Sequence, residues 1–181
     1  MAIRARRISC ALGLALLTVC RPGLGQAPQA RARAVITLSL DANPIDITVE
    51  ALQAAARSVD AVVYKFEEPR VLDALEDAVR RGVVVRVVAD AEEAGTRKSL
   101  ADRAQAAGIE VHDWVDGKLH AKFAVVDDTL MLTGSYNWTE SASEKNIELI
   151  IGVEHQDVVA RFSELFATLW DGSPPLTEER P

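Results

Sequence analysis

The stretch Leu119 to Asn137, LHAKFAVVDDTLMLTGSYN, sets the tightest limit on what this chain can fold into. In its first half, Leu119, Ala121, Phe123 and Val125 alternate with His120, Lys122, Ala124 and Val126. Alternation with period two predicts a strand and turns His120 and Lys122 to the same side. Asp127-Asp128-Thr129 reads as a turn, and Leu130 to Thr133 as a second strand ending at Gly134. Ser135 and Asn137 follow at the same two-residue spacing. A hairpin of this kind gathers an imidazole, an ammonium, a hydroxyl and a carboxamide into one patch. Lys122 supplies charge, Ser135 and Asn137 supply neutral donors, and His120 supplies a nucleophile or proton carrier, a set suited to phosphate.

The segments before the hairpin alternate in type. Ala34 to Leu40 reads as a strand, Ile47 to Val59 as a helix and Ala61 to Phe66 as a second strand. A helix opened by Glu67-Glu68-Pro69 carries an apolar stripe of Val71, Leu72, Leu75 and Val79 and stops at Gly82. Val83 to Val88 is a near-continuous apolar strand, as expected of a strand covered on both faces. Ser99 is placed to cap a helix running to Ala107, and Ile109 to Trp114 reads as a strand. After the hairpin, Trp138 to Lys145 is a connection with helical character. Ile147 to Val153 is a strand, and Asp157 to Trp170 an amphipathic helix. The expected fold class is therefore α/β, a mostly parallel mixed sheet with helices on both faces.

The expected organisation is a signal peptide over 1–27, a flexible leader over 28–33, one domain over 34–171 and a polar tail over 172–181. Arg4, Arg6 and Arg7 precede a short apolar run, Ile8 to Cys20, the pattern of an export signal. Export to the periplasm or beyond is the expected localisation. Removal of 1–27 would take both cysteines, Cys10 and Cys20, and leave a domain held by its core alone. It would leave 16 basic against 27 acidic residues, a net charge of −11. Such a chain repels polyanions at long range, so an anion site has to be a local focus of Lys and Arg. Lys65, Lys118, Arg86 and Arg97 are candidates for that focus. Trp114, Tyr136 and Trp138 are candidates for a stacking platform or an apolar lip, with core packing the commoner fate of such residues. His112 and His155 lack metal-ligand neighbours at any familiar spacing.

The arrangement His120-x-Lys122, four residues, Asp127, six residues, Gly134-Ser135-x-Asn137 resembles the HKD motif of the phospholipase D superfamily. Only one such motif occurs, and the chain is similar in size to the single-motif members, exported bacterial endonucleases and mitochondrial cardiolipin hydrolases. Ala61 to Asp90, with Tyr64, Ala74-Leu75, Ala78 and Arg81-Gly82-Val83, resembles the superfamily's early strand–helix–strand unit. The resemblance implies attack by His120 on phosphorus, a phosphohistidine intermediate, and Lys122 and Asn137 on the non-bridging oxygens. It implies that Glu148, eleven residues after Asn137, orients the histidine. Ser135 would bind phosphate or fix its neighbours, and Gly134 would let backbone approach the ligand. Asp127, a member of the motif, has the opposite strand parity to His120 and Lys122, so a structural role is at least as strongly indicated as a catalytic one.

Nucleic acid is the favoured substrate and a phospholipid head group the alternative. A non-catalytic dimeric phosphate-binding module is the reading from another class, and pure binding would not need His120. One motif supplies one histidine, whereas in-line displacement uses a nucleophile on one side of phosphorus and an acid on the other. A homodimer with a shared site is expected, with Tyr136 to Ser141 covered by the partner. No cofactor and no metal ligand are assigned. Hydrolysis should therefore persist in strong chelator; complete loss, restored by added zinc or magnesium, would overturn a histidine nucleophile acting alone.

Overall fold

The computed structural model describes residues 33–38 and 42–177. The expected signal segment and nearly all of the leader lie outside the described residues. Among the described residues, seven strands form one sheet in the order β1-β7-β6-β5-β2-β3-β4. Their ranges are β1 Arg33–Leu38, β2 Ser58–Val63, β3 Val84–Asp90, β4 Glu110–Trp114, β5 Phe123–Val126, β6 Leu130–Gly134 and β7 Leu149–Glu154. The helices are α1 Pro44–Ala54, α2 Pro69–Arg80, α3 Ala91–Ala94, α4 Ala101–Ala106, α5 Glu140–Glu144 and α6 Gln156–Asp171. The sheet is mixed, as expected. The pairs β2–β3 and β3–β4 are parallel, and the other four are antiparallel. Because β5 and β7 are the two reversed strands, five of the seven still run the same way.

Helices cover both faces. Against one face, Ile45 and Leu52 of α1, Val71, Leu72 and Leu75 of α2, and Ala101 and Ala104 of α4 bury a core with Val59, Ala61, Val85 and Val87. Against the other, Val159 and Phe166 of α6 pack on Val62, Val88, Phe123, Val125 and Met131. Burying a side chain of this size contributes roughly 1.5–3 kcal/mol, and α6 is held to the sheet almost wholly in this way. Val62 and Val88 fall in the second core and Val59, Ala61, Val85 and Val87 in the first, as period two requires of strands covered on both sides.

Several boundaries differ from the sequence reading. The first helix starts at Pro44 rather than Ile47, because Asn43 accepts a hydrogen bond from Ile45 N at 3.2 Å and Pro44 occupies the first turn, so the Asn-Pro pair opens the helix. That helix ends at Ala54, and Val59 belongs to β2, where it pairs with both Val85 and Val126. The segment after α6, read as a polar tail, packs along β4. Asp113 N donates to Pro174 O at 3.0 Å, Leu176 N donates to Val111 O at 2.8 Å, and Leu176 is buried.

Asp127 ties the hairpin to the sheet. It sits in the β5–β6 turn with φ 54°, and its carboxylate accepts from Ala56 N at 2.9 Å, Arg57 N at 2.7 Å and Ser58 N at 2.9 Å. The Arg57 guanidinium reaches back to the Asp127 carbonyl. Burial alone would raise the carboxyl pKa, but the amides of Ser58, Ala56 and Arg57 outweigh it and hold the pKa below the usual range. Asp127→Asn should cost about 1–2 kcal/mol in urea unfolding at neutral pH, the loss of a charge-assisted acceptor for these amides. The folded-state pKa lies below the unfolded one, so the carboxylate's contribution is complete above the unfolded value of about 3.9 and is lost as pH falls through the folded value. The difference from wild type should therefore shrink in acid, and a difference that is constant with pH would refute the assignment.

Candidate active site

His120, Lys122, Gly134, Ser135 and Asn137 collect at one edge of the sheet, where β2 and β6 end and β5 and β7 begin. The central strand β2 has a parallel neighbour on one side and the antiparallel β5 on the other. Ligand crevices in open α/β sheets form where strand order switches in this way, outside the carboxyl ends of the strands. β5 begins at Phe123, so His120 and Lys122 precede the hydrogen-bonded strand rather than lying within it as expected. Two contacts fix this extended lead-in. The buried Asp90 at the end of β3 accepts from Leu119 N at 2.8 Å, and Thr133 Oγ1 donates to the Lys122 carbonyl at 2.8 Å.

His120 and Lys122 meet as alternation predicted. Lys122 Nζ lies 3.0 Å from His120 Nδ1 and 3.3 Å from Nε2, and donates to the His120 carbonyl at 2.9 Å. Burial pushes the Lys122 ammonium down from its ordinary value, while the negative field of Glu148 acts in the opposite direction. Glu148, buried just before β7, accepts from Ser135 Oγ and, at 2.8 Å, from Asn146 Nδ2. Ser135 Oγ also accepts from Leu149 N at 3.1 Å, so of its two expected roles the structure shows the fixing of its neighbours. Gly134 is needed because backbone passes close by: a Cβ there would sit 2.0 Å from Leu149 O. Asn137 Oδ1 is buried without a hydrogen-bond partner. A cleft of about 460 Å³ joins these groups, with His120, Lys122, Ser135 and Asn137 on one side and Phe162 and Leu165 of α6 on another.

Asp127 is not brought to this group. It lies at the far end of β5 and is engaged by backbone amides, so its assignment among the catalytic residues is corrected to a structural one. Of the aromatics that flank the motif, two take the alternative fate of core packing. Tyr136 and Trp138 are buried in the protomer's own core, and Trp114 donates to the Asp116 carbonyl at 2.8 Å. Tyr136 OH joins Ser143 Oγ at 2.8 Å, and burial raises its pKa to about 12. Along Tyr136 to Ser141, Tyr136, Trp138 and Thr139 are thus already covered without a second copy, while Glu140 and Ser141 are exposed. His112 stacks on Trp170 at 3.6 Å, and His155 precedes α6 with Nδ1 buried and unpartnered. Arg86 is committed elsewhere, in a two-pronged ion pair with Asp60 at 2.7 and 2.8 Å.

The aromatic that does reach the site is Tyr64, just past β2. Its ring centroid lies 4.5 Å from that of His120. Sequence placed Tyr64 in the early strand–helix–strand unit but not at the site. The β2–β5 pairing of Val62 with Phe123 brings it there, and that cross-strand register is not written in the local sequence. Asp90 was missed in the same way, although a carboxylate between a strand and a short helix is a recognisable cap, here accepting from Glu93 N at 3.2 Å.

Residues 48–170 match the family model described as cardiolipin synthase, PLD-like domain. The chain is 37% identical over 128 residues to a mitochondrial cardiolipin hydrolase of Homo sapiens, covering 70% of this chain and 51% of that one. It is 38% identical over 127 residues to the Xenopus laevis counterpart, covering 70% and 60%. The chain thus spans half to three-fifths of the length of these curated relatives. Among solved structures, a phospholipase D family member, Nuc, from Salmonella typhimurium superposes with a TM-score of 0.76 at 24% identity, covering 81% of this chain and 99% of that one. NucT from Helicobacter pylori superposes with a TM-score of 0.75 at 16% identity, covering 80% and 99%. With all of its motif residues but Asp127 gathered at one sheet edge and the family model matched over most of its length, the chain belongs to the phospholipase D superfamily, within the cardiolipin synthase, PLD-like domain family.

Proposed function

We propose that this protein is a phosphodiesterase that works through a phosphohistidine at His120, with nucleic acid as its favoured substrate. The observation that carries the reading is the contact of Lys122 Nζ with His120, 3.0 Å from Nδ1, at the floor of an open cleft that also takes in Ser135 and Asn137. A nucleophile beside a fixed ammonium is the arrangement an anionic phosphoryl centre needs, and pure binding would not call for the imidazole. A ring nitrogen of His120 attacks phosphorus, the P–O bond to the leaving group breaks, and that oxygen takes a proton from a general acid opposite. Water then displaces the imidazole, and the proton it loses returns to the same acid–base group. Lys122 and Asn137 hold the non-bridging oxygens. Lys122, partly desolvated, acts on them in a medium where a charge counts for more than in water.

One feature supports nucleic acid. Lys65, Lys118 and Lys122 each lie within 5.9 Å of the Tyr64 ring centroid, a combination of cations and stacking surface in an otherwise acidic chain. A phospholipid head group is the second reading, favoured by the apolar wall of Phe162 and Leu165 and by the curated relatives' designation as cardiolipin hydrolases. The N-terminal basic and apolar segments support export, and the relatives' mitochondrial location is a statement about those proteins.

The general acid is most simply the His120 of a second copy across a two-fold axis, so a homodimer with one shared site is proposed. Its interface would use the cleft rim, including the exposed Leu165, rather than the Tyr136 to Ser141 stretch. His120→Asn should lower kcat by at least about a thousandfold with an unchanged thermal melt, since a covalent route loses its nucleophile. Acid-labile labelling of the wild type by a ³²P-phosphodiester, absent in the variant, would report the intermediate. Turnover by His120→Asn near the wild-type rate would refute the assignment. Plasmid DNA, RNA, cardiolipin and phosphatidylcholine assayed in parallel with chelator present separate the two substrate readings. Sedimentation should show a dimer whose specific activity falls on dilution below its dissociation constant; a fully active monomer would refute the shared site.

A further inference from the structure

Beside the attacking histidine stands a cation that the chemistry above does not use. Lys118 lies two residues before His120, and its Nζ donates to the Tyr64 hydroxyl at 3.2 Å while sitting 5.2 Å from the Tyr64 ring centroid. On the same ring, Lys122 Nζ lies 5.3 Å from the centroid. One aromatic ring therefore holds the ammonium that faces the reacting phosphate and a second ammonium at matched distance. Lys118 is exposed and forms no ion pair among the described residues, whereas Lys65 on the same corner is paired with Glu93 at 3.3 Å. A lysine braced by a neutral hydroxyl keeps its full charge and further N–H donors for an incoming anion. Glu92 and Asp90 contribute to the field around it, and the hydrogen bond to Tyr64 first, then these carboxylates, favour its charged form.

We propose that Lys118, held in place by the Tyr64 hydroxyl, is a second phosphate contact that reads the phosphate neighbouring the one attacked by His120. The inference rests on the phosphodiesterase reading and sharpens its substrate class: a compound with two phosphates one linkage apart, as along a nucleic acid strand. Lys118 is a specificity residue, since the reacting atoms are served by His120 and Lys122. Tyr64 is a positioning residue that acts through Lys118.

The test compares kcat/KM on bis(p-nitrophenyl) phosphate, which carries one phosphate, with that on a thymidine tetranucleotide, which carries several. Wild type, Lys118→Ala, Lys118→Arg and Tyr64→Phe are measured at two salt concentrations. In Lys118→Ala the preference for the tetranucleotide should fall about threefold to fivefold, the scale of one exposed charge contact, and the change should appear in KM. The slope of log KM against log salt should drop by about 0.7, the release associated with one phosphate of a single strand. Lys118→Arg should retain most of the preference, and Tyr64→Phe should fall between. An equal loss on both substrates, or an unchanged preference and salt slope, would overturn the proposal. If the wild type cleaves cardiolipin and not the tetranucleotide, the nucleic acid reading fails. The same variants on cardiolipin, with two phosphates, against phosphatidylglycerol, with one, then decide the role of Lys118 on the same criterion. Inactivity of the wild type on all four compounds would overturn the phosphodiesterase reading and this inference with it.

Discussion

The antiparallel pairing of β5 with β2 is the constraint on which the site depends. Val62 opposite Phe123 and Val59 opposite Val126 set the register, and the Asp127 carboxylate locks the far end of the same pair by accepting from three successive backbone amides. A slip of one residue would turn Phe123 and Val125 out of the α6 core and carry His120 away from Tyr64. The hairpin is short, so turn and register together decide where its polar end emerges. Emergence beside the end of β2, the strand with one parallel and one antiparallel neighbour, brings four strand ends to one cleft.

Charge placement follows from the same geometry. An acidic chain cannot hold a polyanion by its overall field, and the distribution of its cations becomes decisive. Arg86 and Asp60 neutralise each other along the sheet, and Arg70, Arg80 and Arg81 are each taken up by nearby carboxylates. Lys122 and Lys118 instead face neutral partners, the His120 imidazole and the Tyr64 phenol. Positive charge is thus left available at the cleft by Lys118 and Lys122. The apolar wall from α6 closes the other side, which lowers the local dielectric and strengthens what the lysines can do.

How much of this could be read beforehand differs from element to element. The alternation through Leu119 to Val126 put His120 and Lys122 on one side, and the structure has them in contact even though the paired strand begins only at Phe123. Parity also separated Asp127 from the pair, and the structure sends it to the far end of β5. The amphipathic pattern over Asp157 to Trp170 marked α6 within a residue at each end. The aromatic residues went the other way. Trp138 and Tyr136, adjacent to the motif in sequence, are core, and Tyr64, more than fifty residues away in the chain, is at the site. Adjacency in sequence says little about which face of a sheet a ring is given to.

Sequence by itself determined the local chemistry and the class of fold: which side chains share a strand face, which segments bury a stripe, and the motif that places the chain in its superfamily. These depend on backbone periodicity and fixed spacing, which act over a few residues. Tertiary structure alone decided that Tyr64 packs on His120, that Asp90 pins Leu119, and that Ser135 is engaged with Glu148 and Leu149. It also decided that Leu176 closes the edge of β4 rather than trailing as a tail. Each of those contacts joins segments that meet only through strand order and register, and order and register are set by the packing of the whole sheet between its two helical layers.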